Sequence, residues 1–307
     1  MTIDPTRPAI PPALRQLMAE MGPRWGRDAS PAESVRRMIE EFSALHAAHP
    51  DEASTVTADI AYGDHPRQRF DLFAPKAPGT DRPVVIFVHG GAFVEGHRNR
   101  SPEIYANVLR FFARQGVLGL NMGYRMAPEC QFPGASHDIA AVVAWAHENA
   151  ARHGGDPSRI FLMGHSAGGA HVGSYAYDPA VRPAAGHGLA GVIIVSGRVR
   201  AETLDENPNA RKVEAYYGTD PVRLDAASSV NHVDAASPPT FIAVAQYENP
   251  LIDLHCVELA HRLAEAKRRA PPFLWLRGHN HTSSIAHLNT AENSLGQALL
   301  DFIAAPA

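Results

Sequence analysis

The stretch Ile160-Phe161-Leu162-Met163-Gly164-His165-Ser166-Ala167-Gly168-Gly169 decides how this chain is read. Four successive apolar residues fit a strand buried on both faces, and the small residues after Ser166 open a helix. A serine on so sharp a strand-to-helix turn is held in a strained backbone conformation with its hydroxyl exposed. Glycines flank it because side chains there would collide with the neighbouring strand and helix. Gly-x-Ser-x-Gly alone is a short pattern that arises by chance; its place between strand and helix makes Ser166 a candidate nucleophile.

Outward from this turn the same rhythm repeats. Val84-Val85-Ile86-Phe87-Val88 is apolar at every position, and further strands read at Val117 to Met122, Val192 to Val195, Phe241 to Ala245 and Phe273 to Leu276. Between them lie helical faces such as Ile104, Val108, Phe111 and Phe112, then Ile139, Val142, Val143 and Ala146, and finally Leu295, Leu299, Phe302 and Ile303. That alternation predicts an α/β fold, a mostly parallel central sheet with helices on both faces. Thr55 to Tyr62 and Gln68 to Phe73, joined through Gly63-Asp64-His65-Pro66, predict an antiparallel hairpin at the sheet edge. The first fifty residues are rich in proline and predict helices at 13–21 and 31–47, with Ser30 as cap and Pro31 as first helical residue. Arg198 to Ser237 breaks the rhythm.

Composition excludes several classes. Of 307 residues 45% are hydrophobic and 20% charged, as in globular proteins, and the 28 basic and 32 acidic residues form no long block. Nucleic-acid and anionic-membrane partners are therefore not expected. The short run Lys267-Arg268-Arg269 suits a helix end. Cys130 and Cys256 lie far apart in no metal-ligand spacing, which predicts neither a disulfide framework nor a structural metal. No secretory signal or spanning apolar stretch is read, so cytoplasmic residence is the expectation.

A serine hydroxyl needs a histidine base, and that histidine needs a carboxylate to fix its tautomer. On this kind of turn the partners follow in the order acid, then histidine. Past the strand Phe241 to Ala245, Glu248 is the first carboxylate and Asp253 the second, the latter better suited to capping the next helix. Past the last strand, His279 and His281 compete as the base. A metal reading of this His-x-His pair lacks a third ligand nearby. Acyl transfer also needs donors for the oxyanion, and His89-Gly90-Gly91-Ala92-Phe93 follows a buried strand where backbone N–H groups can approach a substrate.

At these residues the sequence resembles the hormone-sensitive-lipase-like and related short carboxylesterase branches of the α/β hydrolases. The likeness runs from about Tyr62 to the C-terminus and includes Tyr124-Arg125-Met126-Ala127-Pro128-Glu129 and Asp156-Pro157-Ser158-Arg159. It implies an α/β-hydrolase fold, a triad of Ser166, Glu248 and His281, and an oxyanion hole from Gly91, Ala92 and Ala167. His281 is preferred to His279 through the family's Gly-x-x-His pattern at Gly278. It further implies a catalytic domain over 51–307, with residues 1–50 and the insertion 198–237 forming a small cap. Phe93 would lie beside the oxyanion turn, as substrate contact or as core. The activity implied is hydrolysis of small-molecule carboxylic esters of short to medium acyl length through an acyl-enzyme, with no cofactor. Three departures stand out: Ala92 for the third glycine, His165 before the nucleophile, and a glutamate as acid. His165-Ser166-Ala167-Gly168 also resembles kynurenine formamidases, which keeps aryl formamide cleavage as an alternative. The gibberellin receptors share the fold but replace the catalytic histidine; His281 favours an enzyme. The natural substrate is not legible, and pairing as a homodimer stays open.

Overall fold

Eight strands form one sheet in the order β1-β2-β4-β3-β5-β6-β7-β8. They are β1 (Ser54–Ala61), β2 (Arg69–Pro75), β3 (Arg82–Val88), β4 (Leu118–Met122), β5 (Gly155–His165), β6 (Gly191–Val195), β7 (Thr240–Tyr247) and β8 (Phe273–Asn280). The predicted hairpin is present: β1 pairs antiparallel with β2 and β2 with β4, while the rest of the sheet is parallel. This computed structural model describes residues 3–25 and 31–306.

The apolar runs are explained by two cores, one on each face. Val84, Ile86 and Val88 enter one cluster with Ile160, Leu162, Val192 and Ile194, whereas Val85 and Phe87 enter the other with Phe161, Met163, Ile193 and Val195. In the central strands neither face meets water, so polar alternation has no place there, whereas Phe273 and Trp275 of the edge strand β8 are exposed. The helices are α1 (Pro12–Met21), α2 (Pro31–Ala47), α3 (Ala106–Arg114), α4 (Gly134–Asn149), α5 (Ala167–Tyr177), α6 (Ala210–Tyr217), α7 (Pro221–Ala227), α8 (Ile252–Lys267), α9 (Ser283–Ala286) and α10 (Ser294–Ala304). Ile139, Val142 and Val143 of α4 and Leu259 and Leu263 of α8 cover the first face. Val108 and Phe112 of α3 and Leu295, Leu299 and Phe302 of α10 cover the second.

The N-terminal helices belong to that second core, since Leu14, Met18, Met38 and Phe42 are buried in it. The predicted cap residue Ser30 lies outside the described residues. Ahead of α1, the chain is tied to the segment before α10: Ala291 N–H donates to the Pro8 carbonyl at 2.8 Å, and Arg7 Nε to the Asn289 carbonyl at 3.0 Å. Residues 198–237 carry α6 and α7, with Val213, Tyr216 and Leu224 packed into the first core. Among the described residues no helix is long and apolar enough to cross a membrane.

The strand order also sets where a binding crevice can open. β3 connects outward to β4 and β5 onward to β6, so the chain reverses direction between the adjacent strands β3 and β5. Crevices in open α/β sheets form at such a switch point, outside the carboxyl ends of the strands. Ser166 and the His89 to Phe93 turn both leave the sheet there.

Candidate active site

Ser166 links β5 to α5 with φ 57° and ψ −122°, a conformation a non-glycine residue adopts only under constraint. The constraint is visible on both sides. A Cβ on Gly168 would stand 2.1 Å from the Val88 carbonyl oxygen, and one on Gly164 would stand 2.5 Å from that of Gly168. Ser166 N–H donates to the Val195 carbonyl (3.2 Å), and its own carbonyl accepts from Gly169 and Arg198.

His281 Nε2 lies 2.9 Å from Ser166 Oγ, and His281 Nδ1 lies 2.6 Å from Glu248 Oε2. The other carboxylate oxygen, Oε1, accepts Ala245 N–H at 2.8 Å and the Ser196 hydroxyl. The His281 backbone is held as well: its N–H donates to the Tyr247 carbonyl, and its carbonyl accepts from Ser284 Oγ (2.7 Å) and His165 Nε2 (3.0 Å). Serine, imidazole and carboxylate thus form one continuous chain of hydrogen bonds, the geometry required to pass a proton from the hydroxyl to the ring.

The two competing residues stand elsewhere. Asp253 does not cap α8, contrary to expectation: Leu251 occupies the cap position in a left-handed conformation, and among the described residues the Asp253 carboxylate accepts only the adjacent Leu254 N–H (3.0 Å). His279 does not share a loop with His281, because β8 continues through Asn280. Asn280 Oδ1 then accepts from Thr282 N–H and Ser283 N–H, turning the chain into α9 just where His281 leaves the strand. The His279 ring is 3.2 Å from Ser283 Oγ through Nδ1 and 3.0 Å from Glu292 Oε1 through Nε2, with His287 packed on it at 4.2 Å. Burial would raise the Glu292 carboxyl, but His279, followed by His287 and Arg15, pulls it down to about 2.

The His89 to Phe93 turn runs beside Ser166. A Cβ on Gly90 would lie 3.0 Å from Ser166 Cβ, and one on Gly91, whose φ is 154°, would meet the Glu95 carbonyl oxygen at 1.7 Å. Ala92 and Phe93 also have positive φ, 47° and 73°. Gly91 and Ala92 line the pocket over Ser166. Ala167 is the first residue of α5, where helix N–H groups lack internal acceptors. Phe93 does not line this pocket. The left-handed backbone turns its ring into the core, stacked on Tyr216 at 5.2 Å and edge-on to Tyr217 and His171, so it is a packing residue.

Sequence reasoning passed over Ser196 and Ser284 and noted His165 without a role. Ser196, directly after β6, could have been found as a polar residue ending the strand next to the acid's strand. Ser284 and His165 act through the His281 carbonyl, which no local pattern reveals. Burial, with His281 second, holds the His165 ring far below the ordinary histidine range, so it stays neutral and donates from Nε2.

The pocket itself measures about 120 Å³. Val35 and Ile39 of α2, with Ile104, Tyr105 and Ile285, form its apolar wall, while Arg100, Asn209 and Thr282 supply polar edges. Among the described residues no group of three or more His, Cys, Asp or Glu side chains could hold a metal ion.

Comparison with known proteins adds to this geometry. The family model described as BD-FAE matches residues 70–177. The chain is 34% identical over 139 residues to a probable isoprenylcysteine alpha-carbonyl methylesterase, ICMEL2, of Arabidopsis thaliana, covering 45% of this chain and 32% of that protein. It is 26% identical over 298 residues to Esterase LipQ of Mycobacterium tuberculosis, covering 91% of this chain and 69% of that one. The chain spans about a third of the length of the first of these relatives. A hyperthermophilic esterase from the archaeon Pyrobaculum calidifontis superposes with a TM-score of 0.71 at 23% identity, over 96% of this chain and 99% of that chain.

Proposed function

We propose that this α/β-hydrolase cleaves carboxylic esters through an acyl-enzyme on Ser166. The observation that carries the reading is the unbroken hydrogen-bond chain from Ser166 Oγ through His281 to Glu248, beside the turn at Gly91 and Ala92. His281 Nε2 takes the serine proton as Oγ attacks the ester carbonyl. Glu248 keeps the other ring proton on Nδ1 and stabilises the imidazolium. The N–H groups of Gly91, Ala92 and Ala167 receive the oxyanion, with α5 adding the positive end of its dipole. The alcohol leaves with the proton from His281, and water then attacks the acyl-enzyme by the same route.

A pocket of about 120 Å³ walled by Val35, Ile39, Ile104 and Ile285 suits short acyl groups better than long ones. In this reading α2 and the 198–237 segment act together as the cap, since Val35, Ile39 and Asn209 all reach the pocket. The free thiols Cys130 and Cys256 favour a reducing, cytoplasmic setting.

The test is turnover of short-chain p-nitrophenyl esters by the purified protein and by Ser166→Ala, with an aryl formamide in the panel for amide cleavage. Ester turnover by the parent, blocked by an organophosphate, should fall by about 10³-fold or more in the variant. Near-normal ester turnover in Ser166→Ala would overturn the assignment, and preference for the formamide would move the substrate class.

A further inference from the structure

We propose that Arg100 is a specificity residue that binds a carboxylate carried by the ester substrate, away from the bond that is cleaved. The inference deepens the esterase reading and rests on it.

The charges around the pocket are unbalanced. Among the described residues that line it, Glu95 is the one carboxylate, and the Lys212 ammonium already holds it. His281 faces Glu248, and His165 is buried and donates to a backbone carbonyl. Arg100 lines the same pocket as Ser166, yet among the described residues no carboxylate, hydroxyl or carbonyl accepts from its guanidinium. The other arginine and the carboxylates of the same loop are matched. Arg98, two residues earlier, is buried between Asp59 and Asp71, and the nearby carboxylate Glu103 is taken by Arg110. The loop after the oxyanion turn therefore folds one arginine inward, satisfies the next carboxylate from α3, and leaves Arg100 at the cavity.

An exposed arginine on a convex surface is simply hydrated, but Arg100 stands over a concave wall of aliphatic side chains. Burial raises the Tyr105 hydroxyl, itself part of that wall, and the Arg100 charge pulls it back. A guanidinium there presents planar paired donors that match a carboxylate. Asn209 lines the cavity too, and among the described residues its side-chain amide makes no hydrogen bond, so it offers a second donor. The substrate that matches these groups joins a short apolar stretch to an anionic end.

Two ester pairs test this, one for each side of the scissile bond: mono-p-nitrophenyl glutarate against p-nitrophenyl pentanoate, and p-carboxyphenyl butyrate against phenyl butyrate, each corrected for spontaneous hydrolysis. The parent protein should favour the anionic member of at least one pair by roughly tenfold in kcat/KM, mainly through KM, and added salt should erode the preference. Arg100→Gln should abolish the preference and Arg100→Lys should keep part of it, with thermal unfolding used to show that each variant is folded. Absence of preference in the parent, or an undiminished one in Arg100→Gln, overturns the proposal. If no ester is turned over at all, the esterase reading has failed instead. Calorimetric titration with glutarate then decides on Arg100 alone: weaker binding to Arg100→Gln supports the anion site, and equal binding rejects it.

Discussion

Replacing Glu248 by Gln tests the hydrogen-bond chain most sharply, because the surroundings dictate how an amide must sit. Oε1 accepts from two donors, Ala245 N–H and the Ser196 hydroxyl, so the amide oxygen of Gln has to take that side. Its NH₂ group is then left facing His281 Nδ1, where the carboxylate oxygen stood 2.6 Å away. The ring responds by accepting at Nδ1 and carrying its proton on Nε2, the nitrogen 2.9 Å from Ser166 Oγ. A base that already holds a proton there cannot take the serine's. A wrong tautomer of this kind costs about 10³ to 10⁴ in kcat, which is about 4 to 5 kcal/mol of transition-state stabilisation. Shape and all three hydrogen bonds survive, the one to His281 with its direction reversed, so the fold should survive. The assay is steady-state hydrolysis of a short p-nitrophenyl ester, with the thermal midpoint measured alongside. Asp253→Asn, which removes a carboxylate that bonds its neighbour's N–H, should stay close to the parent. A loss of less than about tenfold in Glu248→Gln, or a deeper loss in Asp253→Asn, would refute the tautomer argument.

His281→Ala should approach the loss seen on removing Ser166 itself, since members of one chain of proton transfer do not contribute additively. His279→Ala should instead lower stability, by about 1 to 3 kcal/mol, by stripping Glu292 and Ser283 of a buried partner; denaturant melts together with activity per folded molecule separate the two effects. Gly91→Ala should abolish turnover, because its Cβ would stand 1.7 Å from the Glu95 carbonyl and the oxyanion turn would have to move. Acid sensitivity follows from the buried histidines. Burial lowers His171 to about 3, so the unfolded chain takes up a proton near 6.5 that the folded chain refuses. Stability must then fall as pH drops below the unfolded value, by up to about 1.4 kcal/mol per pH unit for that group. His171→Phe, set among Phe93, Tyr124 and Tyr216, should flatten the stability curve by one proton's worth in that range; an unchanged slope would contradict it.

What the sequence determined by itself was whatever depends on near neighbours. A strand segment covered on both faces is apolar throughout, so the inner runs of β3, β5 and β6 were readable, while the polar start of β5 at Gly155 to Arg159 was not. The nucleophile turn was equally plain, because Gly164 abuts the start of the very helix that the turn opens, although Gly168 abuts the distant Val88 carbonyl. Glu248 was legible as the first carboxylate beyond its strand. Tertiary structure alone decided the rest. As residues placed past the last strand, His279 and His281 carry the same signal, and only the resemblance at Gly278 preferred His281. They are separated by Asn280, which turns the chain between them, and by Glu292, which claims His279 from the segment leading into α10 with Arg15 of α1 at 3.1 Å behind it. Phe93 went to the first core because its backbone is left-handed, and α1 and α2 joined the second because Leu14, Met18, Met38 and Phe42 pack on that face of the sheet. Ser196 and His165 entered the site because parallel strands distant in sequence end side by side. Contacts of that kind are set by the closing of the sheet, and no window along the chain contains both partners.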